Sequence, residues 1–157
     1  MKKRQAKSNP ALHGVAMRWM APSDIPSLAR MERFSADPFG RLDLRDAMVM
    51  DNVCGVCAYN PERTDERCGY LLFEYGRHAI RLMRICVQPY LRRRGIALMM
   101  LQCFRETQIR SGRFNTSVAH VPEPCLSAQL LFRKAGYVCD GEVYSGDKVE
   151  YRFIGRI

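Results

Sequence analysis

The chain has 157 residues and a formal net charge of +9, with 47% hydrophobic and 26% charged residues. This size and composition are typical of one globular domain with a single core, and they exclude the disordered and fibrous classes of protein. The sequence contains no apolar run near the roughly 20 residues that cross a bilayer, so we expect no membrane partner.

The positive charge is concentrated in two segments. Residues 1–7 carry four basic residues and no acidic one, which predicts a basic flexible tail over residues 1–14. Residues 77–113 carry nine arginines and one acidic residue, Glu106. A basic tail is usually a solvated terminus, whereas a basic segment inside a folded core indicates an anionic ligand.

The seven cysteines are irregularly spaced, which makes a poor disulfide framework. The first residues, Met1 to Arg4, begin no secretory apolar stretch, so we expect a cytoplasmic protein with reduced thiols. Cys54 and Cys57 are closely spaced, but side chains three apart on a strand point to opposite faces and no second pair accompanies them. We therefore expect no metal site.

The first half of the chain predicts a strand, two helices and three strands. Cap and turn residues at positions 22–26 precede a helix that runs to about Phe34, and a second helix begins near Asp43. Polar residues 60–67 predict a charged hairpin loop between two of the strands. The strands are predicted over residues 15–20, 52–59, 69–75 and 79–87.

The second half predicts a helix, a strand, a helix and a closing strand pair. From Gly95 to about Arg110 the apolar residues recur with helical spacing, and Gly112 ends the helix. A strand follows over residues 114–119, then a helix that ends before Gly136, then strands over residues 141–144 and 150–154. This order predicts an α/β fold with one sheet and helices on its faces, formed by residues 15–157 as one domain.

Three arginines stand directly before Gly95, where the strand ending at Val87 gives way to the helix. The first turn of a helix carries unpaired N–H groups, and the helix dipole attracts negative charge to them. Gly95 allows the backbone to approach a ligand closely, and the arginines add cationic donors. This arrangement suits a pyrophosphate.

The run from Val87 to Ala97 closely resembles the coenzyme A loop of the GNAT (GCN5-related N-acetyltransferase) superfamily, Arg/Gln-x-x-Gly-x-Gly/Ala after a Val-x-Pro strand end. Residues 17–26 resemble the opening strand and first helix of that family, and residues 128–137 resemble its Ala-x-x-x-Tyr-x-x-x-Gly-Phe helix. Residues 68–73 and 82–87 are most similar to the ribosomal-protein N-terminal (Nα) acetyltransferase branch.

The resemblance implies the GNAT fold, a single mixed and mostly antiparallel sheet with helices on both faces and a donor strand that splays from its neighbour. It also implies an N-acetyltransferase that moves an acetyl group from acetyl-CoA to a primary amine. The expected acceptor is the α-amine of a protein or peptide N-terminus, and a lysine or small-molecule amine is the alternative. We expect no direct nucleic-acid binding, and both a monomer and a homodimer remain open.

The resemblance also assigns residues to the cofactor. Backbone groups near the end of the donor strand would hold the pantetheine and the thioester, and the loop after it would hold the pyrophosphate, with Arg92 or Arg93 alternatively meeting the 3′-phosphate or solvent. The strand residues are Ile85, Cys86 and Val87, and the loop residues are Arg92, Arg93, Arg94, Gly95, Ile96 and Ala97.

Two cofactor positions depart from the family pattern. Cys125 stands where the family usually has an asparagine that contacts the cofactor, and Phe132 stands where it commonly has a tyrosine that donates a proton to the departing thiolate. Phenylalanine has no proton to donate, which keeps open a catalytically weak acyl-CoA-binding module as a second function. The candidates to replace the acid are Tyr75, Tyr137 and Tyr144, and the sequence does not single one out.

His120 occupies the family's base position, at the end of the strand that follows the helix. Imidazole side chains accept protons near neutral pH, so His120 is the first candidate for the catalytic base. Its alternative is an ordinary histidine in a strand-to-loop turn. Glu74, on the strand before the donor strand, is the second candidate, with a solvated strand carboxylate as its alternative.

Overall fold

The structure is a computed structural model that describes residues 14–34, 44–63 and 66–157. The predicted tail lies outside the described residues except for Gly14. Asp43, where the second helix was expected to begin, and residues 64–65 of the predicted hairpin loop also lie outside them.

In the described residues, seven strands and four α-helices follow one another in the predicted order. The helices are α1 (Ile25–Glu32), α2 (Leu44–Met48), α3 (Ile96–Ser111) and α4 (Leu126–Lys134). The strands are β1 (Ala16–Trp19), β2 (Val53–Tyr59), β3 (Arg67–Tyr75), β4 (Ile80–Val87), β5 (Thr116–Pro122), β6 (Val138–Ser145) and β7 (Lys148–Arg156).

The strands form one sheet in the order β1-β2-β3-β4-β5-β7-β6. β4 and β5 run parallel, and the five other neighbouring pairs run antiparallel. This confirms the predicted single, mixed and mostly antiparallel sheet. Within the part of the chain that the structure describes, no helix is long and apolar enough to span a membrane.

Helices cover both faces of the sheet, as predicted. α1 and α2 pack on one face over a core that includes Tyr70 and Leu72, and α3 and α4 pack on the other over a core that includes Leu71 and Phe73. Successive side chains of a strand point to opposite faces, so β3 contributes to both cores. This explains why β3 is a continuous apolar run, because its middle is buried on both sides.

A β-bulge divides β4 into two halves. Leu82 lies opposite Phe73 of β3 and Arg84 lies opposite Leu72, so Met83 is the extra residue. A bulge bends the strand that carries it. β4 pairs with β5 through residues 80–82, against residues 117–119, and the two strands diverge beyond this point. The predicted splay of the donor strand is therefore confirmed.

β5 is longer than the sequence predicted. The expected end at Ala119 was wrong, because β5 continues to Pro122, which lies opposite Glu150 of β7. A proline at the end of a strand forfeits only one ladder donor, so it did not stop the pairing. His120 consequently lies within a strand and not in a strand-to-loop turn.

Candidate active site

The diverging halves of β4 and β5 enclose a cavity of about 240 Å³, which we call the wedge cavity. Residues 82–87 of β4 form one wall and residues 119–122 of β5 form the other. The first turns of α4 close it on the α3–α4 face, through Cys125, Ser127, Ala128 and Phe132. The cavity thus occupies the space that a continued β4–β5 pairing would have filled.

A groove of about 440 Å³ lies between the start of α3 and one side of α4, and we call it the α3 groove. Its lining includes residues 95–98 of α3 and its cap, together with Arg93 and Lys134. Ile85, Val87 and Arg92 line both the groove and the wedge cavity, so the two spaces are adjacent. Together they form a path from the protein surface to the gap in the sheet.

Backbone donors line the α3 groove where α3 begins. The first hydrogen bond of α3 runs from the Met99 N–H to the Gly95 carbonyl, so the N–H groups of residues 96–98 precede the helix's own acceptors. Arg93 has φ of 64° and Gly95 has φ of 85°. Left-handed residues alternating in such a loop are typical of backbone concavities that bind anions.

The three arginines of the loop have different surroundings. Arg92 donates from Nε to the Val87 carbonyl at 3.0 Å and from Nη2 to the Phe34 carbonyl at 2.9 Å, so it ties the loop to β4 and to the end of α1. Arg93 lines the α3 groove. Arg94 instead lines a separate cavity beside Glu66. Two of the three predicted cationic donors, Arg92 and Arg93, therefore line the α3 groove. The guanidinium of Arg92 is hydrogen-bonded to the backbone of β4, whereas that of Arg93 is not.

His120 lines the wedge cavity on the β5 wall. Its neighbours Ala119 and Val121 are buried in the core on the α3–α4 side, so His120 points to the α1–α2 side of the sheet. Its Nδ1 lies 3.9 Å from Oε2 of Glu150 on β7. Sequence reasoning missed Glu150, because only the register of β5 with β7 places it beside His120.

Glu74 is not brought to the wedge cavity. It lies opposite Arg81, on the far side of the β4 bulge, where β4 and β5 are still paired. Its carboxylate accepts a hydrogen bond of 2.8 Å from Arg81 Nε and one of 2.9 Å from Asn52 Nδ2. The hydrogen bond from Arg81 lowers the pKa of Glu74. Glu74 is therefore a carboxylate paired within the sheet, which differs from its alternative as a solvated strand carboxylate.

Cys125 and Phe132 both line the wedge cavity, at the positions the resemblance assigned to cofactor contacts. Cys125 occupies the N-cap position of α4 and makes no side-chain capping hydrogen bond. Phe132 is buried, with its ring stacked on Phe153 at a centroid distance of 5.8 Å and meeting Tyr137 edge-on at 5.1 Å. Its ring thus forms an apolar floor, which supplies no proton to the cavity.

None of the seven tyrosines, all of which lie in the described residues, lines the wedge cavity. Tyr137 shares a hydrogen bond of 2.7 Å with Ser117, and its burial raises the pKa of its hydroxyl. Tyr75 stacks on Phe114, and Tyr144 is exposed. The structure therefore places none of the three candidates for a replacement acid at the site.

A buried polar cluster borders the wedge cavity on the α1–α2 face. Glu32 of α1 accepts hydrogen bonds from Arg84 Nε at 3.1 Å, from Arg84 Nη2 at 2.6 Å and from the Tyr70 hydroxyl. Burial raises the pKa of Tyr70, which keeps its hydroxyl a donor. Sequence reasoning missed this cluster, although Glu32 falls with Leu28 and Met31 on one face of α1 and signalled a buried carboxylate.

The described residues contain no group of three or more histidine, cysteine, aspartate or glutamate side chains placed to hold a metal ion. Cys54 and Cys57 both lie on β2. The site is thus made of backbone donors, arginines, a histidine and apolar side chains.

A scan against protein-family models finds no match for this chain, and neither does a search of curated protein sequences. The structure is nevertheless similar to solved acetyltransferases. Arabidopsis thaliana NAA60 in complex with acetyl-CoA matches with a TM-score of 0.78 at 16% identity, over 91% of this chain and 99% of that one. The ribosomal-protein-S18-alanine N-acetyltransferase from Escherichia coli matches with 0.72 at 14% identity, over 89% and 90%.

A spermidine N-acetyltransferase chimera from Vibrio cholerae and hSSAT matches with a TM-score of 0.74 at 11% identity, over 90% of this chain and 94% of the chimera. This chain has the GNAT fold. The ribosomal-protein Nα-acetyltransferase branch, to which the sequence is most similar by its motifs, is only one of several kinds of neighbour on that fold. The names of two of these neighbours specify different acceptors, a ribosomal-protein alanine and spermidine. The GNAT fold alone therefore does not identify the acceptor amine.

Proposed function

We propose that the protein is an acetyl-CoA-dependent N-acetyltransferase that acetylates a primary amine. The observation that carries this proposal is the path from the α3 groove into the wedge cavity. One end of the path offers N–H groups and Arg93 to an anion, and the other offers an unpaired strand edge in a gap of the sheet. Acetyl-CoA has the matching parts, a pyrophosphate and a slender arm that ends in a thioester.

The chain's own groups suit both parts of that cosubstrate. The pyrophosphate would lie against the backbone N–H groups around Gly95 and the first turn of α3. The arm would lie along residues 85–87, whose edge toward β5 has no strand partner beyond the bulge. Backbone N–H and C=O groups at a strand edge need hydrogen-bond partners when a ligand shields them from water. The amide groups of the acetyl-CoA arm can act as those partners. The NAA60 neighbour, which was solved with acetyl-CoA, supports this assignment.

The reaction needs a neutral amine beside the thioester. The nitrogen lone pair attacks the thioester carbonyl carbon, the carbon–sulfur bond breaks, and the acetyl group remains on nitrogen. CoA leaves as a thiolate that takes up one proton, and the proton lost by the amine passes to His120, directly or through water. The products are an N-acetyl amine and CoA. A thiolate leaves without full protonation, so Phe132 in place of an acid does not prevent the reaction.

We further propose that the acceptor is the α-amine of a peptide or protein N-terminus. An α-amino group titrates near pH 7.7–8.0 and a lysine near 10.4, so making lysine neutral at pH 7 costs about 3–4 kcal/mol more. A site with one histidine and no tyrosine in the wedge cavity suits the easier deprotonation. The ribosomal-protein-alanine enzyme among the neighbours supports this choice, while the spermidine enzyme is the reason to test polyamines.

The second candidate function is an acyl-CoA-binding module with little or no turnover. The observation that favours it is that Phe132 lines the wedge cavity at the position of the expected tyrosine, and that none of the tyrosines, all within the described residues, lines this cavity. Such a module would bind acetyl-CoA with ordinary affinity and leave every amine unmodified.

The decisive experiment offers acetyl-CoA to the purified protein with three sets of acceptors, which are peptides with free N-termini, N-terminally blocked peptides with one lysine, and small amines including spermidine. Mass spectrometry detects the gain of one acetyl group, and release of the CoA thiol provides an independent rate. We expect fastest acetylation of free N-termini. Faster lysine or spermidine acetylation would overturn the acceptor assignment, and acetyl-CoA binding without any turnover would favour the module.

A further inference from the structure

Two side chains lie on opposite walls of the wedge cavity, at its opening on the α1–α2 side of the sheet. His120 is on the β5 wall, and Arg84 is on the β4 wall. Arg84 points to this side because its guanidinium is bonded to Glu32 of α1, and His120 does so because its neighbours are buried on the other side. The α3 groove opens on the opposite face of the sheet. If acetyl-CoA fills the groove, the amine approaches past Arg84 and His120.

A guanidinium at this mouth is unfavourable for an amine, because an amine in water at neutral pH is mostly an ammonium ion and is repelled by positive charge. Glu32 compensates that charge. Its two carboxylate oxygens accept from Nε and Nη2 of Arg84, with both side chains only 11% exposed. The hydroxyl of Tyr70 holds the carboxylate from a third element, β3.

We propose that Glu32 controls binding of the acceptor amine by neutralising and positioning Arg84 on the β4 wall of the wedge cavity. Glu32 acts through Arg84 and is a positioning residue. This inference rests on the proposed function, because it concerns the second substrate of the same reaction. The inference predicts that Glu32 affects binding of the amine and not of acetyl-CoA. The cluster borders the entrance for the amine, whereas the groups that suit acetyl-CoA lie in the α3 groove and on the backbone of β4.

The first test is Glu32→Gln, which keeps the shape and one acceptor oxygen but removes the negative charge. We expect the KM of the acceptor amine to rise about tenfold at low salt and the KM of acetyl-CoA to stay within twofold. The rise should shrink in 0.5 M salt, because salt screens the exposed part of the repulsion. Tyr70→Phe, which removes one bond to the carboxylate and no charge, should raise the acceptor KM by less than threefold.

A rescue variant separates charge from architecture. In Glu32→Gln combined with Arg84→Met, the guanidinium is gone, so the acceptor KM should return to within about threefold of wild type although the cluster is destroyed. If the double variant binds the amine as poorly as Glu32→Gln alone, the charge explanation is wrong.

Asp24→Asn is the matched control. Asp24 is a second buried carboxylate on the same face, bonded to Arg18 and Arg67, and none of these three residues lines the wedge cavity. The control should lower the melting temperature and leave both KM values unchanged, which shows what loss of a buried ion pair does by itself.

The outcomes distinguish this inference from the proposed function. Wild-type protein that transfers no acetyl group overturns both. Suppose the wild-type protein is active and Glu32→Gln folds. If the acceptor KM of that variant is unchanged, or if the KM of acetyl-CoA rises instead, only the inference about Glu32 is overturned. If Glu32→Gln does not fold, the double variant and Tyr70→Phe still decide the question, because an acceptor KM above the expected limit in either one contradicts it.

Discussion

The two ends of the β4–β5 pair use the same two strands in opposite ways. At the closed end, residues 80–82 pair with residues 117–119, Glu74 bonds Arg81, and Tyr75 stacks on Phe114. At the open end, beyond the bulge at Met83, the strands have separated and a cavity lies between them. The backbone of β4 is thus paired with β5 at one end and has no partner on β5 at the other.

One inserted residue in β4 thus separates a strand pair and leaves a cavity between the two strands. Before the bulge, Leu82 faces the α3–α4 core; after it, Arg84 and Cys86 face the α1–α2 side. The bulge therefore both bends β4 away from β5 and changes which side chains border the gap. Substitutions at the open end should alter ligand binding and catalysis, and those at the closed end should alter stability.

The largest expected effect is at the start of α3. Gly95→Asp adds a side chain and a negative charge where the pyrophosphate would lie, and we expect acetyl-CoA binding, measured by titration calorimetry, to be lost. Gly112→Asp is the control at the other end of the helix, since Gly112 also has positive φ and a Cβ there meets open space. Each substitution should cost about 1–2 kcal/mol of stability through backbone strain, so the two variants are matched in this respect. Equal loss of acetyl-CoA binding in both would contradict the placement of the pyrophosphate at Gly95.

The next largest effect is expected for His120→Ala, which removes the proposed base from the wall of the wedge cavity. Turnover at pH 7 should fall about 10²-fold, the usual scale for a general base. The loss should be smaller at pH 9, where most of an α-amine is already neutral. His78→Ala, in the exposed turn at the closed end, is the control and should keep full activity. Equal rates for His120→Ala and wild type at pH 7 would remove His120 from the mechanism.

A smaller effect is expected for Glu74→Gln at the closed end. Turnover should change less than threefold, because Glu74 does not reach the cavity, and stability at pH 7 should fall by less than about 1 kcal/mol, since Arg81 is 56% exposed. The folded-state pKa of Glu74 is lowered, so its stabilisation is present above about pH 4.3 and is lost as the pH falls through the folded-state value. In urea titrations, the difference in unfolding free energy between variant and wild type should therefore be smaller at pH 3 than at pH 7. A tenfold loss of turnover would instead restore Glu74 as a catalytic candidate.

The smallest effect is expected for deletion of residues 1–12, which removes four positive charges outside the described residues. The groups that suit acetyl-CoA come from β4, α3 and α4, so the dissociation constant for acetyl-CoA should stay within twofold of that of the full chain. A much weaker complex, measured by the same calorimetry, would assign the tail a part in cosubstrate binding.

Sequence reasoning succeeded where the signal was local. The order of the seven strands and four α-helices in the described part of the chain follows from the period of apolar residues and from turn residues. The glycines at both ends of α3 predicted its limits closely. The anion site at the start of α3, which the arginine-rich loop indicates, stays a prediction. The predicted end of β5 was wrong, because Pro122 continues a strand whose pairing partner lies far away in the chain.

The elements, their order and the charge of the loop before α3 can be read from the amino-acid sequence alone, because periodicity, caps and charge are properties of neighbouring residues. Tertiary structure decided where the sheet opens, that His120 points toward the α1–α2 side while Glu74 is tied to Arg81, and that Glu32 meets Arg84 across 52 positions. Strand register and the packing of a helix on a sheet depend on residues distant in the chain. A one-residue shift in register turns every side chain beyond it to the other face, and no local pattern reports it.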